Sequence, residues 1–134
     1  KACEKFRHKP VSIMNFIEGT RFTSAKHSKQ NSPYKHLLKP KAGGIGFVIS
    51  TMGESLNKVL NVTIHYPHGT PSFADLLLGK VTDINVIIET KDIEPDLIGD
   101  YVNDRTHKIN FQQWVSEMWQ EKDELLEELN QQNR

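Results

Sequence analysis

Apolar residues along the chain fall into short runs separated by polar breaks marked with glycine or proline, with one long amphipathic exception at the C-terminal end. Residues 11–17 (VSIMNFI) are β-branched and apolar enough to predict a buried strand, which delivers Glu18-Gly19-Thr20 to its own end, where glycine permits a sharp exit. Residues 22–36 are polar, carry Pro33 and follow neither the helical nor the strand period, which predicts a long loop of the kind that is often functional in a compact domain. Residues 40–52 (PKAGGIGFVISTM) suit a short helix with Pro40 near its first turn and Gly53 at its stop. A second strand is expected over 59–66 (VLNVTIHY), closed by Pro67-His68-Gly69, and a third over 84–90 (INVIIET). The connection between them, with Leu76, Leu77 and Leu78, is expected to bury its apolar side chains. Residues 92–106 read as acidic and irregular.

The last segment predicts a helix. Asn110 is a capping residue, Gln113 sits three positions on, and Phe111, Trp114, Val115, Met118, Trp119, Lys122, Leu125 and Leu129 recur at helical spacing. Such a stripe usually packs on its own domain, with a membrane-lying or partner-binding face as the alternative. Strands interleaved with helices give an α/β fold class: a partial sheet of about three or more strands flanked by helices, with a long amphipathic C-terminal helix.

Charge changes this picture. The 17 Lys/Arg and 17 Asp/Glu cancel over the whole chain, but residues 1–41 hold ten basic residues against Glu4 and Glu18, a net +8, and residues 42–134 hold seven against fifteen, a net −8. The basic half (Lys1, Lys5, Arg7, Lys9, Arg21, Lys26, Lys29, Lys35, Lys39, Lys41) is suited to anions: phosphate groups, nucleic acid or an acidic lipid surface. The alternative is that it neutralises the acidic half across the fold. At 134 residues there is room for one domain, and the apolar runs at 45–49 and 76–78 fall far short of the ~18 residues a membrane span needs. The chain opens on Lys1 without a signal segment, so it is expected to be a piece of a longer protein. A lone Cys3 cannot close an internal disulfide and favours a reducing compartment.

Among candidate chemistries, Glu18-Gly19-Thr20-Arg21 stands out, because strand ends in α/β folds open onto the ligand crevice. Gly19 admits a ligand close to the backbone, Thr20 offers a hydroxyl, and Arg21 presents a fork that matches phosphate, with Glu18 placed to hold it. An ordinary strand-to-loop turn with a surface ion pair is the alternative. Gly43-Gly44-Ile45-Gly46 matches no phosphate-loop pattern and suits close helix packing. His65 and His68 lack a third ligand at metal spacing, so no metal site is expected. Aromatic residues are too sparse among the basic ones to support base stacking, and nucleic acid is not an expected partner of the favoured reading.

Taken together, Asn15-Phe16-Ile17-Glu18-Gly19-Thr20-Arg21-Phe22-Thr23, then Leu38-Lys39-Pro40-Lys41 with the small-residue helix, then Val62-Thr63-Ile64-His65-Tyr66-Pro67, resemble the later motifs of the 1-acylglycerol-3-phosphate (lysophosphatidic acid) acyltransferases and their lysocardiolipin-type relatives. The terminal QQWVSEMWQEKDELLEEL is similar to the ending of the lysocardiolipin-type branch. The resemblance implies transfer of an acyl chain from acyl-CoA or acyl carrier protein, as co-substrate rather than bound cofactor, to a lysophospholipid hydroxyl at a membrane surface facing the cytoplasm. It implies that Glu18, Gly19, Thr20 and Arg21 hold the acceptor's phosphate, with Lys39 and Lys41 as secondary candidates for phosphate contacts. The family's H-x-x-x-x-D element, whose His is general base, is not matched: five residues after His8, His27, His36, His65, His68 and His107 stand Ile13, Ser32, Lys41, Thr70, Phe73 and Gln112. Residues 1–134 are therefore expected to be the C-terminal portion of an acyltransferase domain, without its catalytic motif and membrane anchor, inactive alone and prone to self-association. A non-catalytic anion-binding module docking on acidic lipid or nucleic acid is the rival reading.

Overall fold

The computed structural model describes residues 10–132; the basic lead-in at 1–9 and the lone Cys3 lie outside the described residues. Its elements run α1 (Ser24–Gln30), α2 (Gly43–Met52), β1 (Lys58–His65), α3 (Phe73–Leu77), β2 (Asn85–Asp92) and α4 (Arg105–Gln132), with single turns of 3₁₀ helix at Gly53–Ser55 and Pro95–Leu97. The mixed α/β class stands, but the sheet among the described residues is a two-stranded antiparallel pair rather than three or more strands.

The strand expected at 11–17 does not form. A β-branched run becomes a strand only when a neighbouring edge accepts its hydrogen bonds. Here the backbone is tied instead by a turn, with the Gly19 N–H donating to the Phe16 carbonyl at 2.9 Å, and by the Lys41 N–H donating to Ile17 at 2.8 Å. Met14 and Phe16 stay exposed and only Ile17 packs on the core. The expected loop at 22–36 contains α1, opened by the Thr23 side chain, which accepts the Lys26 N–H at 3.2 Å. Because α1 buries no residue, it carries no apolar period that would announce it.

The long helix α4 organises the rest. It begins earlier than expected: Asp104, not Asn110, caps it, accepting the His107 N–H at 3.0 Å. Its first half buries Phe111 and Val115 against Ala42, Ile45 and Ile49 of the α2 region and against Leu97 and Tyr101. Its second half packs Trp119 and Leu126 on Tyr34 and Leu37, and Ile17 touches both clusters. Leu126 takes the buried place expected of Leu125 and Leu129, which are half-buried. In α2, Gly46 is required by close packing: a Cβ there would fall 2.5 Å from the Tyr101 ring.

The hairpin presents an unexpected face. β1 and β2 pair in the register Val62↔Ile88 and Ile64↔Val86, and the face buried toward the body of the protein is the polar one, with Asn61, Thr63 and His65. Most of it meets polar partners: the Lys122 ammonium donates to the Val62 carbonyl at 2.8 Å, His65 meets Asn130 at 3.2 Å and Asn85 at 3.3 Å, and Asn61 donates to Glu89 at 3.0 Å, while the buried Thr63 hydroxyl has no protein partner among the described residues. Leu60, Val62, Ile64, Val86 and Ile88 face water, and so do Phe73, Leu76, Leu77 and Leu78, contrary to the burial expected of that connection. Apolar exposure of this extent is unusual for a free surface.

Candidate functional site

The Glu18–Arg21 segment is shaped by the turn that precedes it. Gly19 adopts φ +66°, a left-handed conformation that glycine takes without steric cost. Lys41 lies across this turn: a Cβ added at Gly19 would meet its Cδ at 3.3 Å and its Nζ at 3.4 Å. From the other side α1 sends Lys26 back over the loop, where its ammonium donates to the Thr20 hydroxyl at 2.7 Å and to the Arg21 carbonyl at 3.1 Å. Since Thr20 is an acceptor in that bond, its own O–H is free to donate to an incoming ligand. Arg21 is exposed and makes no ion pair with another described residue.

The structure thus places Lys41 over Gly19 and adds Lys26, on the Thr20 hydroxyl and the Arg21 carbonyl, which sequence reasoning did not single out; Arg21 follows in sequence with its side chain exposed. The signal for Lys26 was the Thr23 cap three residues before it, which folds the chain back. Lys39 is exposed nearby in sequence, its N–H bound to the Gln30 side chain at 3.1 Å.

Glu18 does not hold Arg21. Its carboxylate accepts the Leu38 N–H at 3.0 Å, tying the loop to the 34–38 segment. Partial burial pushes the Glu18 carboxyl above its ordinary range, opposed by that N–H and by the charge of Lys122. Lys122 is itself pushed down by burial, opposed by Glu89 and Glu18.

Where the basic and acidic halves meet, they do neutralise one another locally. Glu127 of α4 pairs with Lys35 and with His36, each at 2.7 Å, and accepts from Gln131 at 2.9 Å. These contacts, Lys35 first, hold its carboxyl down at about 2 from an ordinary 4.5. A carboxyl lowered in the folded state adds stability that is complete above its unfolded value and disappears as pH falls toward the folded one. Thermal midpoints of the native protein and of Glu127→Gln should therefore differ at neutral pH and converge as pH falls from about 4.5 to about 2; a difference constant over that window overturns the assignment. Arg21, Lys26, Lys29, Lys39 and Lys41 take no part in ion pairs among the described residues.

The histidines weighed as a metal pair have separate partners: His65 is buried with Asn130 and Asn85, and His68 is exposed against Asp83 at 3.2 Å.

With this geometry in view, comparison with known proteins is informative. The chain is 29% identical over 133 residues to mouse lysocardiolipin acyltransferase 1, a match covering 89% of this chain and 33% of that protein. It is 28% identical over 121 residues to mouse 1-acyl-sn-glycerol-3-phosphate acyltransferase gamma, covering 84% and 30%. Against the 2-acyl-1-lysophosphatidylinositol acyltransferase of Saccharomyces cerevisiae it is 25% identical over 141 residues, covering 90% and 33%. The chain is a distant homologue of these acyltransferases. It spans about a third of their length. No protein-family model matches it, and no solved structure does. Among the described residues no helix is long and apolar enough to cross a membrane.

Proposed function

We propose that this chain is the acceptor-binding portion of a lysophospholipid acyltransferase and that the loop Glu18–Arg21 receives the phosphate of the acceptor, 1-acylglycerol-3-phosphate. The observation that carries this reading is that Lys41 lies across the Gly19 turn and Lys26 reaches the Thr20 hydroxyl and the Arg21 carbonyl, beside the exposed Arg21, with no ion pair to any of the three cations among the described residues. A phosphate monoester needs this combination: a planar fork for two of its oxygens, point charges for the rest, and close backbone approach. Lys39, exposed two residues before Lys41, is kept as a secondary candidate.

In the reaction this reading assigns to the complete protein, the acceptor hydroxyl attacks the thioester carbonyl of acyl-CoA or acyl carrier protein. The new ester C–O bond forms, the hydroxyl proton passes to a general base, the C–S bond breaks, and the base returns that proton to the departing sulfur, which leaves as the thiol. No histidine of residues 1–134 has an aspartate five positions on, so the base is proposed to come from outside this stretch, with the enzyme working at the cytoplasmic face of a membrane.

The test uses the chain itself. Neutral-detergent micelles doped with 1-acylglycerol-3-phosphate are expected to bind it, micelles doped with uncharged 1-acylglycerol are not, and no acyl transfer from acyl-CoA is expected in either. Equal binding to both overturns the phosphate reading. Turnover by the purified chain overturns the placement of the base, and equal binding to any acidic lipid or to nucleic acid favours a non-catalytic anion-binding module.

A further inference from the structure

The phosphate loop is held from the far end of the chain. Asp123, buried on α4, directs both carboxylate oxygens at backbone: Oδ2 accepts the Lys35 N–H and Oδ1 the His36 N–H, each at 2.7 Å. One turn earlier on the same helix face, the Trp119 indole N–H donates to the Leu38 carbonyl at 2.9 Å. Leu38 is fully buried, and its N–H is the group that the Glu18 carboxylate accepts. Three residues on, Lys41 binds the Ile17 carbonyl through its N–H and lies across Gly19 through its side chain. A series of short contacts therefore runs from Asp123 through the 35–38 backbone to Glu18, which precedes Gly19, and along the chain to Lys41, which lies over it.

We infer that Asp123 is a positioning residue for the anion site, fixing the register of the 35–41 segment so that Lys41 and the Glu18–Arg21 loop face the same phosphate; this rests on the function proposed above. A carboxylate buried without a cationic partner among the described residues is costly unless its oxygens are hydrogen-bonded. Here two backbone N–H groups satisfy it, which makes the contact geometrically strict: neither oxygen can follow a one-residue slip of the segment. Asparagine keeps one acceptor and loses the other, and a segment held at one point instead of two can pivot.

The experiment titrates the chain with 1-acylglycerol-3-phosphate in neutral-detergent micelles, at a temperature well below the unfolding midpoint of every variant. Asp123→Asn is expected to bind 3- to 10-fold more weakly than the native chain, Asp123→Glu to recover part of the loss, and Glu121→Gln, whose partner is Lys91, to bind like the native chain. Glu18→Gln combined with Asp123→Asn should lose less than the product of the single losses, because both act through the same backbone. A merely structural Asp123 would lower the melting temperature and leave the affinity of the folded chain unchanged. Native affinity in Asp123→Asn, with Arg21→Ala weakened, overturns the inference and leaves the site intact; native affinity in Arg21→Ala overturns the site itself. If Asp123→Asn fails to fold, Asp123→Glu carries the comparison, and native affinity in it together with strict additivity to Glu18→Gln overturns the inference.

Discussion

Replacing Trp119 with alanine is expected to cost about 3–5 kcal/mol of stability, near the upper end for any single side chain. Trp119 is buried among Tyr34, Leu37 and Leu126, and the Lys122 ammonium sits 4.9 Å from its ring centroid. Truncation removes that contact, opens a cavity between α4 and the 34–38 segment, and strips the buried Leu38 carbonyl of its indole donor. An unsatisfied buried carbonyl alone costs about 1–3 kcal/mol, so the effect overlaps with, and does not simply add to, the cavity. Against a total of roughly 5–15 kcal/mol for a domain of this kind, the loss leaves a marginal fold. The thermal midpoint followed by circular dichroism should fall by roughly 10–25 °C in Trp119→Ala. Trp119→Phe, which keeps most of the apolar area and loses only the N–H, should fall by less than half as much. A midpoint in Trp119→Ala within a few degrees of the native value would falsify the view that Trp119 is a principal anchor of the 34–38 segment on α4.

That helix was also the most legible part of the sequence. Phe111, Val115, Met118 and Trp119 recur at its period because one continuous face packs on two clusters, and a continuous face leaves a continuous pattern. Its first turn was illegible for the complementary reason: residues 105–110 include no fully buried side chain, only the half-buried His107, so the Asp104 cap is what marks the start. Both hairpin strands were legible in position, within two residues at each end, but not in orientation. Alternation of Leu60, Val62 and Ile64 with Asn61, Thr63 and His65 says that the two faces differ, and by default the apolar one turns inward. The default fails where the neighbouring helix offers Lys122 and Asn130, which satisfy polar groups that water would otherwise have held.

The site was legible as a tetrapeptide and illegible as an assembly. Glycine before threonine and arginine is visible in the residues themselves. The Leu38 N–H that restrains Glu18 is not, because every residue but proline carries one and no side-chain identity announces which will be used. Lys26 was hidden by an exposed helix without an apolar stripe, and Lys41 was found for its charge although its place over Gly19 depends on backbone pairing with Ile17.

Arg21→Ala is expected to weaken binding of 1-acylglycerol-3-phosphate by roughly 10- to 150-fold, the equivalent of about 1.5–3 kcal/mol for one charge-assisted hydrogen-bonding group. Its effect on stability should be near zero, since Arg21 is exposed and lends only its backbone carbonyl, through Lys26, to the structure. That separation makes the variant decisive: the fold is retained while the fork that matches two phosphate oxygens is removed. Arg21→Lys should recover part of the affinity, because a point charge attracts the phosphate without reproducing the bidentate geometry. The loss should also shrink as salt is raised, since an exposed guanidinium acts through a screened field over distances comparable to the Debye length of about 10 Å at 0.1 M. Affinity unchanged in Arg21→Ala across that range of salt would return Arg21 to an ordinary surface residue at the end of a turn, and Lys26 and Lys41 would then be left holding Thr20 and Gly19 for structural reasons alone.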